Sequence, residues 1–172
     1  LSQITENYLK FSKPSQGVAI RFDLGEALDS VLATYASECE KLSIRVDWSR
    51  PSSPALLEVL ADRDAVEQAL GNLMRNSIQA LEGAEGQDRR ISWSLGMAET
   101  GRVWIRIQDN GPGISPAIRD RLFAPFSTTK AQGTGLGLSW VKRVIEEQGG
   151  QVELLEAVEG QPGACFSVIF PR

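Results

Sequence analysis

Residues 103–114 read Val103-Trp104-Ile105-Arg106-Ile107-Gln108-Asp109-Asn110-Gly111-Pro112-Gly113-Ile114. The apolar first half is a strand, predicted to pair with residues 91–95 in a hairpin across 98–101. The second half is a tight bend in which Asn-Gly and Pro-Gly supply glycine-permissive turn geometry. Asp109 stands where the strand becomes the bend. It either satisfies the loop backbone or reads a ligand that the glycines allow to come close.

On the upstream side, Asp62 is a candidate cap for a long helix reaching Leu81. Val66, Leu70, Leu73, Ser77 and Leu81 share the buried face of that helix. Before it come a strand carrying Val18, Ile20 and Phe22, then a helix capped by Asp23 with Glu26 completing a capping box. The apolar face of that helix is Leu24, Leu28, Val31, Leu32, Tyr35 and Cys39. Strands at 44–48 and 56–60 flank a turn at 51–54. Residues 1–13 read as the end of a helix stopped by Pro14, with 15–17 as linker. Downstream of the bend, polar and glycine-rich sequence runs to Gly133. A helix at 136–148 follows, closed by Gly149-Gly150, and strands at 152–155 and 166–170 finish the chain. Paired strands with helices between them predict a two-layer α/β sandwich, a mixed and mostly antiparallel sheet with helices on one face.

Bulk properties narrow the function. The 172 residues suit one domain with a short appendage, and 42% hydrophobic residues suffice for a core. A net charge of -4 argues against nucleic acid as a partner. The two cysteines lack metal-ligand spacing and read as plain thiols of a reducing compartment. No apolar run is long enough to span a membrane. The start at Leu1, without a signal peptide, points to a piece of a longer protein. Histidine is absent.

Four segments carry chemistry. Asn72 and Asn76, four residues apart, project from one helix face. They are either a solvated face or a pair of amide oxygens for Mg²⁺. Arg75 beside them is a phosphate contact or a plain surface cation. Asp109 is a candidate reader of an exocyclic amino group, since a carboxylate accepts where guanine would also present an acceptor. Phe123-Ala124-Pro125-Phe126-Ser127-Thr128-Thr129-Lys130 combines a docking half and a polar half, with Lys130 within reach of a terminal phosphate. Gly133-Thr134-Gly135-Leu136-Gly137-Leu138-Ser139 opens a helix with exposed backbone N–H groups, a ready site for phosphate. No Gly-Lys-Ser/Thr follows, so it is not a P-loop, and a long loop precedes it where a dinucleotide fingerprint needs a strand.

Taken together and in order, these four segments resemble the GHKL ATPase superfamily over residues 17–172, and within it the sensor histidine kinases. The two-residue gap between TTK and GTGLGLS resembles the short ATP lid of nitrogen-regulation-like sensor kinases. The resemblance implies an ATP-binding catalytic domain (17–172) preceded by the end of a dimerisation-hairpin helix and linker (1–16). It implies ATP and Mg²⁺ as cofactors. Asn76 would be the main Mg²⁺ ligand with Asn72 assisting, and Asp109 would bind the adenine amino group beside Gly111 and Gly113. Ile114 and Leu122 would give apolar contact with the base. Thr129, Lys130, Gly133, Thr134, Gly135, Leu136 and Gly137 would shape the lid and meet the phosphates, with Phe123 and Phe126 as lid anchors. Asn72, Asn76 and Lys130 would form the catalytic set.

The implied reaction is transfer of the γ-phosphoryl group to a histidine on a dimerisation hairpin, for passage to a response-regulator receiver domain. This chain contains no histidine, so alone it is expected to bind ATP without autophosphorylating. The parent protein would be a homodimer, with this domain in the cytoplasm whether or not the parent is membrane-anchored, and the fragment is compatible with a monomer. ATP-hydrolysing members of the superfamily carry a glutamate where this chain has Asn72, and an amide is a poor general base. An anti-sigma-type serine kinase and a docking domain with a decayed site are the other readings. Ser77 departs from the resembling pattern, which more often has alanine there.

Overall fold

The computed structural model describes residues 17–51, 57–83, 88–127, 135–156 and 162–171. Strand β1 (Ile20–Asp23) leads into helix α1 (Leu24–Lys41). Asp23 caps that helix, accepting from the backbone N–H of Gly25 at 2.7 Å and of Glu26 at 3.1 Å. Only the forward half of the expected capping box is seen: the Glu26 carboxylate lies 3.7 Å from Arg50. Arg50 also meets Asp23 at 2.9 Å and Asp29 at 3.6 Å, fastening the chain after β2 (Arg45–Asp47) to the start of α1.

Strand β3 (Glu58–Ala61) ends at Asp62, whose side chain accepts from Ala65 N and starts helix α2 (Arg63–Glu82). Strands β4 (Arg90–Met97) and β5 (Val103–Asp109) form the predicted hairpin, turned between Ala98 and Arg102. A short helix α3 (Pro116–Arg119) interrupts the glycine-rich stretch. Helix α4 (Gly137–Glu147) and the antiparallel pair β6 (Gln151–Leu155) and β7 (Cys165–Phe170) complete the chain.

The main sheet has the order β2-β4-β5-β7-β6, with β2 parallel to β4 and the other pairs antiparallel. Strands β1 and β3 stand apart as their own antiparallel ribbon. Alternation along the strands sends one set of side chains to the helices. Ile91, Trp93 and Leu95 of β4, Val103, Ile105 and Ile107 of β5, and Phe166, Val168 and Phe170 of β7 are all buried. Helix α2 lies between α1 and α4 and packs on β5. Its buried face includes Val66, Leu70, Leu73, Met74, Ile78 and Leu81, and each fully buried aliphatic side chain contributes roughly 1.5–3 kcal/mol. Its more polar face, with Asn72 and Asn76, is left half-exposed. Helices on one face of a mixed sheet are the architecture the sequence predicts. The far end of α4 is tied to the start of α2: Gln148 Oε1 accepts from Asp62 N at 2.8 Å.

Candidate functional site

Asp109 closes β5 and is only 3% exposed. Among the described residues, the carboxylate accepts from three donors. Oδ1 accepts from Gly111 N at 2.9 Å and Ala164 N at 3.3 Å, and Oδ2 accepts from Ser77 Oγ at 3.1 Å. These bonds offset the cost of burying a charge. The backbone is pinned as well, since Asp109 N donates to Ala164 O at 3.1 Å. Two glycines permit this close packing. Gly163 has φ +108°, and a Cβ there would overlap the Asp109 carbonyl oxygen. Gly113 has φ +77°, and its own Cβ would meet Gly163 O at 3.1 Å. Gly111 is tight for another reason: a Cβ would come within 3.0 Å of Asp109 Oδ1 and 3.3 Å of Ala80 Cβ.

Asn110 turns away from this centre. Its amide oxygen accepts from Arg90 N at 2.7 Å and its NH₂ donates to Asp88 O, tying the bend to the start of β4. Leu122 is buried, whereas Ile114 is half-buried against the core.

A second cluster forms one turn of α2 away. Asn72 Nδ2 donates to Gln68 O at 3.0 Å, which leaves its Oδ1 facing outward. A Cβ built on Gly137 would find Asn72 Oδ1 at 3.8 Å and Asn76 Oδ1 at 4.0 Å. The two amide oxygens therefore converge on the first residue of α4. Leu136 holds the N-cap there, and its apolar side chain cannot accept from the first-turn N–H groups. Two hard oxygen donors beside a helix start suit Mg²⁺ carrying phosphate. The two clusters are joined through the chain, because Asn76 is followed directly by Ser77.

Arg75 points elsewhere: it is exposed, with Nη2 3.4 Å from Tyr35 Oη on α1, and takes no place in the cluster. Phe123 packs edge-on against Phe166 at 6.2 Å, so it is anchored. Phe126 is not: it is 71% exposed with φ +63°. The Phe126 backbone packs closely on Gly135, whose φ is +66° and whose Cβ would stand 2.5 Å from Phe126 C. Thr129, Lys130, Gly133 and Thr134 lie outside the described residues, as do residues 1–16.

The sequence reading passed over Ser77, Gly163 and Ala164 as parts of the Asp109 setting. A Pro162-Gly163 turn signal is present in the sequence, but nothing links it, or Ala164 after it, to Asp109, 55 positions before Ala164. Among the described residues no group of three or more His, Cys, Asp or Glu side chains suits a metal. Burial pushes the Cys165 thiol up, an effect opposed by Arg106 and reinforced by Asp109.

Comparison with known proteins gives the same direction. Residues 61–172 match the family described as histidine kinase-, DNA gyrase B-, and HSP90-like ATPase. The sensor histidine kinase ZraS of Salmonella typhimurium is 31% identical over 99% of this chain, which spans 35% of that protein. The chain thus spans between 17% and 35% of the length of such curated relatives. The catalytic domain of histidine kinase ThkA superposes with TM-score 0.74 at 30% identity, covering 89% of this chain and 95% of that one. ThkA in complex with the response regulator protein TrrA gives 0.78 at 26% identity, covering 98% of this chain and 46% of that one. Full-length ShkA in complex with AMPPNP gives 0.80 at 25% identity, covering 98% of this chain and 35% of that one. The chain belongs to the histidine kinase-, DNA gyrase B- and HSP90-like ATPase family, and its likeness is to the catalytic, ATP-binding part of sensor histidine kinases.

Proposed function

We propose that this chain is the ATP-binding catalytic domain of a two-component sensor histidine kinase. The observation that carries the reading is the convergence of Asn72 Oδ1 and Asn76 Oδ1 on Gly137 at the start of α4. One residue further along α2, Ser77 touches the buried carboxylate of Asp109. A nucleotide with its base at Asp109 and its phosphates over Gly137 would lie along one side of α2. Asp109 would accept from the adenine amino group, and Asn76 with Asn72 would hold Mg²⁺. The metal, when bound, neutralises phosphate charge. The start of α4 would meet the phosphates with backbone N–H groups. Thr129, Lys130, Gly133 and Thr134 complete the proposed phosphate contacts.

The reaction is phosphoryl transfer, in which catalysis is mostly positioning and charge stabilisation. A histidine nitrogen forms the new bond to the γ-phosphorus as the bond to the bridging oxygen breaks, releasing ADP. This chain has no histidine, so the acceptor comes from a separate hairpin. Asn72 stands where the ATP-hydrolysing members carry a glutamate, and an amide is a poor general base for water. Residues 1–16 are proposed as the end of the hairpin helix and its linker. A receiver domain is the onward partner, a homodimer the parent assembly and the cytoplasm the compartment of this domain. The ThkA–TrrA complex supports the receiver as partner.

The test is to mix this domain, ATP and Mg²⁺ with the separately produced histidine-bearing hairpin of its parent protein and follow acid-labile phosphate. Label on the hairpin, and none on the domain alone, is expected. A hairpin that stays unlabelled while the domain binds ATP would overturn the kinase reading.

A further inference from the structure

Ser77 sits on the apolar face of α2 at 2% exposure, among Leu70, Leu73 and Leu81. Serines and threonines inside helices commonly bond the carbonyl one turn back. On α1 both Ser30 and Thr34 do so, to Glu26 O at 3.2 Å and Ser30 O at 3.1 Å. Ser77 differs. Its hydroxyl crosses from α2 to β5 and donates to Asp109 Oδ2 at 3.1 Å.

Resting on the adenine-site reading above, we propose that Ser77 is a positioning and base-selecting residue that acts with Asp109. Oδ1 takes the backbone N–H groups of Gly111 and Ala164, which fixes one edge of the carboxylate to β7 and the bend. Ser77 holds the other edge, so the carboxylate plane cannot rotate without breaking a bond on either side. A hydroxyl has one proton and two lone pairs. With that proton given to a carboxylate, which outcompetes any neutral carbonyl for it, Ser77 Oγ can only accept. Ser77 and Asp109 therefore present two neighbouring acceptors. An amino group at the purine 6-position suits such a pair. A 6-oxo group meets acceptors on both sides and cannot recruit the serine proton without stripping it from the carboxylate.

The experiment is a displacement titration with Mg²⁺, using ATP and purine riboside 5′-triphosphate, which carries hydrogen in place of the amino group. Ser77→Ala should weaken ATP on the order of tenfold, the scale of a perturbed bond to a charged group, and change the amino-less nucleotide less than about twofold. Ser77→Cys keeps a side chain of similar volume with a weak donor and should fall between; it carries the comparison if the alanine variant does not fold. Equal weakening of both nucleotides would mean that Ser77 serves the fold alone, and unchanged ATP affinity would mean that Asp109 needs no such support; either overturns the proposal. A wild-type domain that binds ATP no better than the amino-less nucleotide would overturn the adenine-site reading itself, and this proposal with it.

Discussion

Asn72 and Asn76 aim their amide oxygens at one point, 3.8 and 4.0 Å from where a Cβ on Gly137 would stand. Those distances are ordinary van der Waals contact, so the protein's own packing tolerates a methyl group there. The same methyl would occupy the space that phosphate and cation need. Gly137→Ala should therefore leave the thermal midpoint unchanged or slightly raised, since alanine favours helix over glycine by up to about 1 kcal/mol. Affinity for ATP–Mg²⁺, read by calorimetric titration, should fall at least about tenfold, or roughly 1.4 kcal/mol. Unchanged affinity would place the phosphates elsewhere.

Asp109→Asn tests the base end. The substituted amide must keep its oxygen toward the N–H groups of Gly111 and Ala164, which turns its NH₂ toward Ser77 and the base. A donor then faces the adenine amino group. ATP should weaken by about 1.5–3 kcal/mol, the worth of a bond to a charged group. GTP, titrated in parallel, should bind the wild type poorly and lose less on substitution. A wild type that takes both nucleotides equally would argue against Asp109 as the reader.

Gly163→Ala should be a stability variant. Its Cβ would overlap the carbonyl oxygen of Asp109, and its φ of +108° is one that side chains rarely adopt. The expected cost is roughly 3 kcal/mol or more, combining backbone strain with displacement of the β5–β7 contact. Urea denaturation should show a lowered midpoint with little change in slope.

The two cysteines give an alkaline signature. Burial pushes the Cys39 thiol above its ordinary value of 9.0, with Glu38 adding to the effect, and burial does the same for Cys165. A group whose folded pKa is raised stabilises fully below its unfolded pKa and loses that stabilisation as pH rises through the folded one. The thermal midpoint should therefore decline as pH rises through and beyond the ordinary thiol value of 9.0, and less steeply in the Cys39→Ala, Cys165→Ala double variant. Both thiols should also react slowly with iodoacetamide near neutrality, because little thiolate is present. Equal slopes in the two proteins would remove the cysteines as the cause.

Local patterns carried much of this protein. The 3.6-residue spacing of Val66, Leu70, Leu73 and Leu81 marked α2, and Asp62 marked its start. The apolar run from Val103 to Ile107, broken at Asn110-Gly111, marked β5 and the bend. Asn72 and Asn76 were legible as a pair because four residues is a helical turn. These signals lie within one element, where chain geometry alone decides which side chains are neighbours.

What lies between elements was decided only in three dimensions. The pairing of β1 with β3 and of β2 with β4 has no local mark, because a strand's alternation tells which face is buried but not which strand lies beside it. α3 went unseen since four residues carry no period. Ser77 looked like a small residue on a core face until α2 was laid against β5, and Gly163 looked like a turn glycine until β7 brought it onto Asp109. The residue types that a nucleotide site needs were present in the sequence. Packing of α2 against β5 brought the Ser77 hydroxyl onto the Asp109 carboxylate, and packing of α2 against α4 brought the two asparagine oxygens to Gly137, because burying the apolar faces of these elements in close-packed contact fixes which side chains meet.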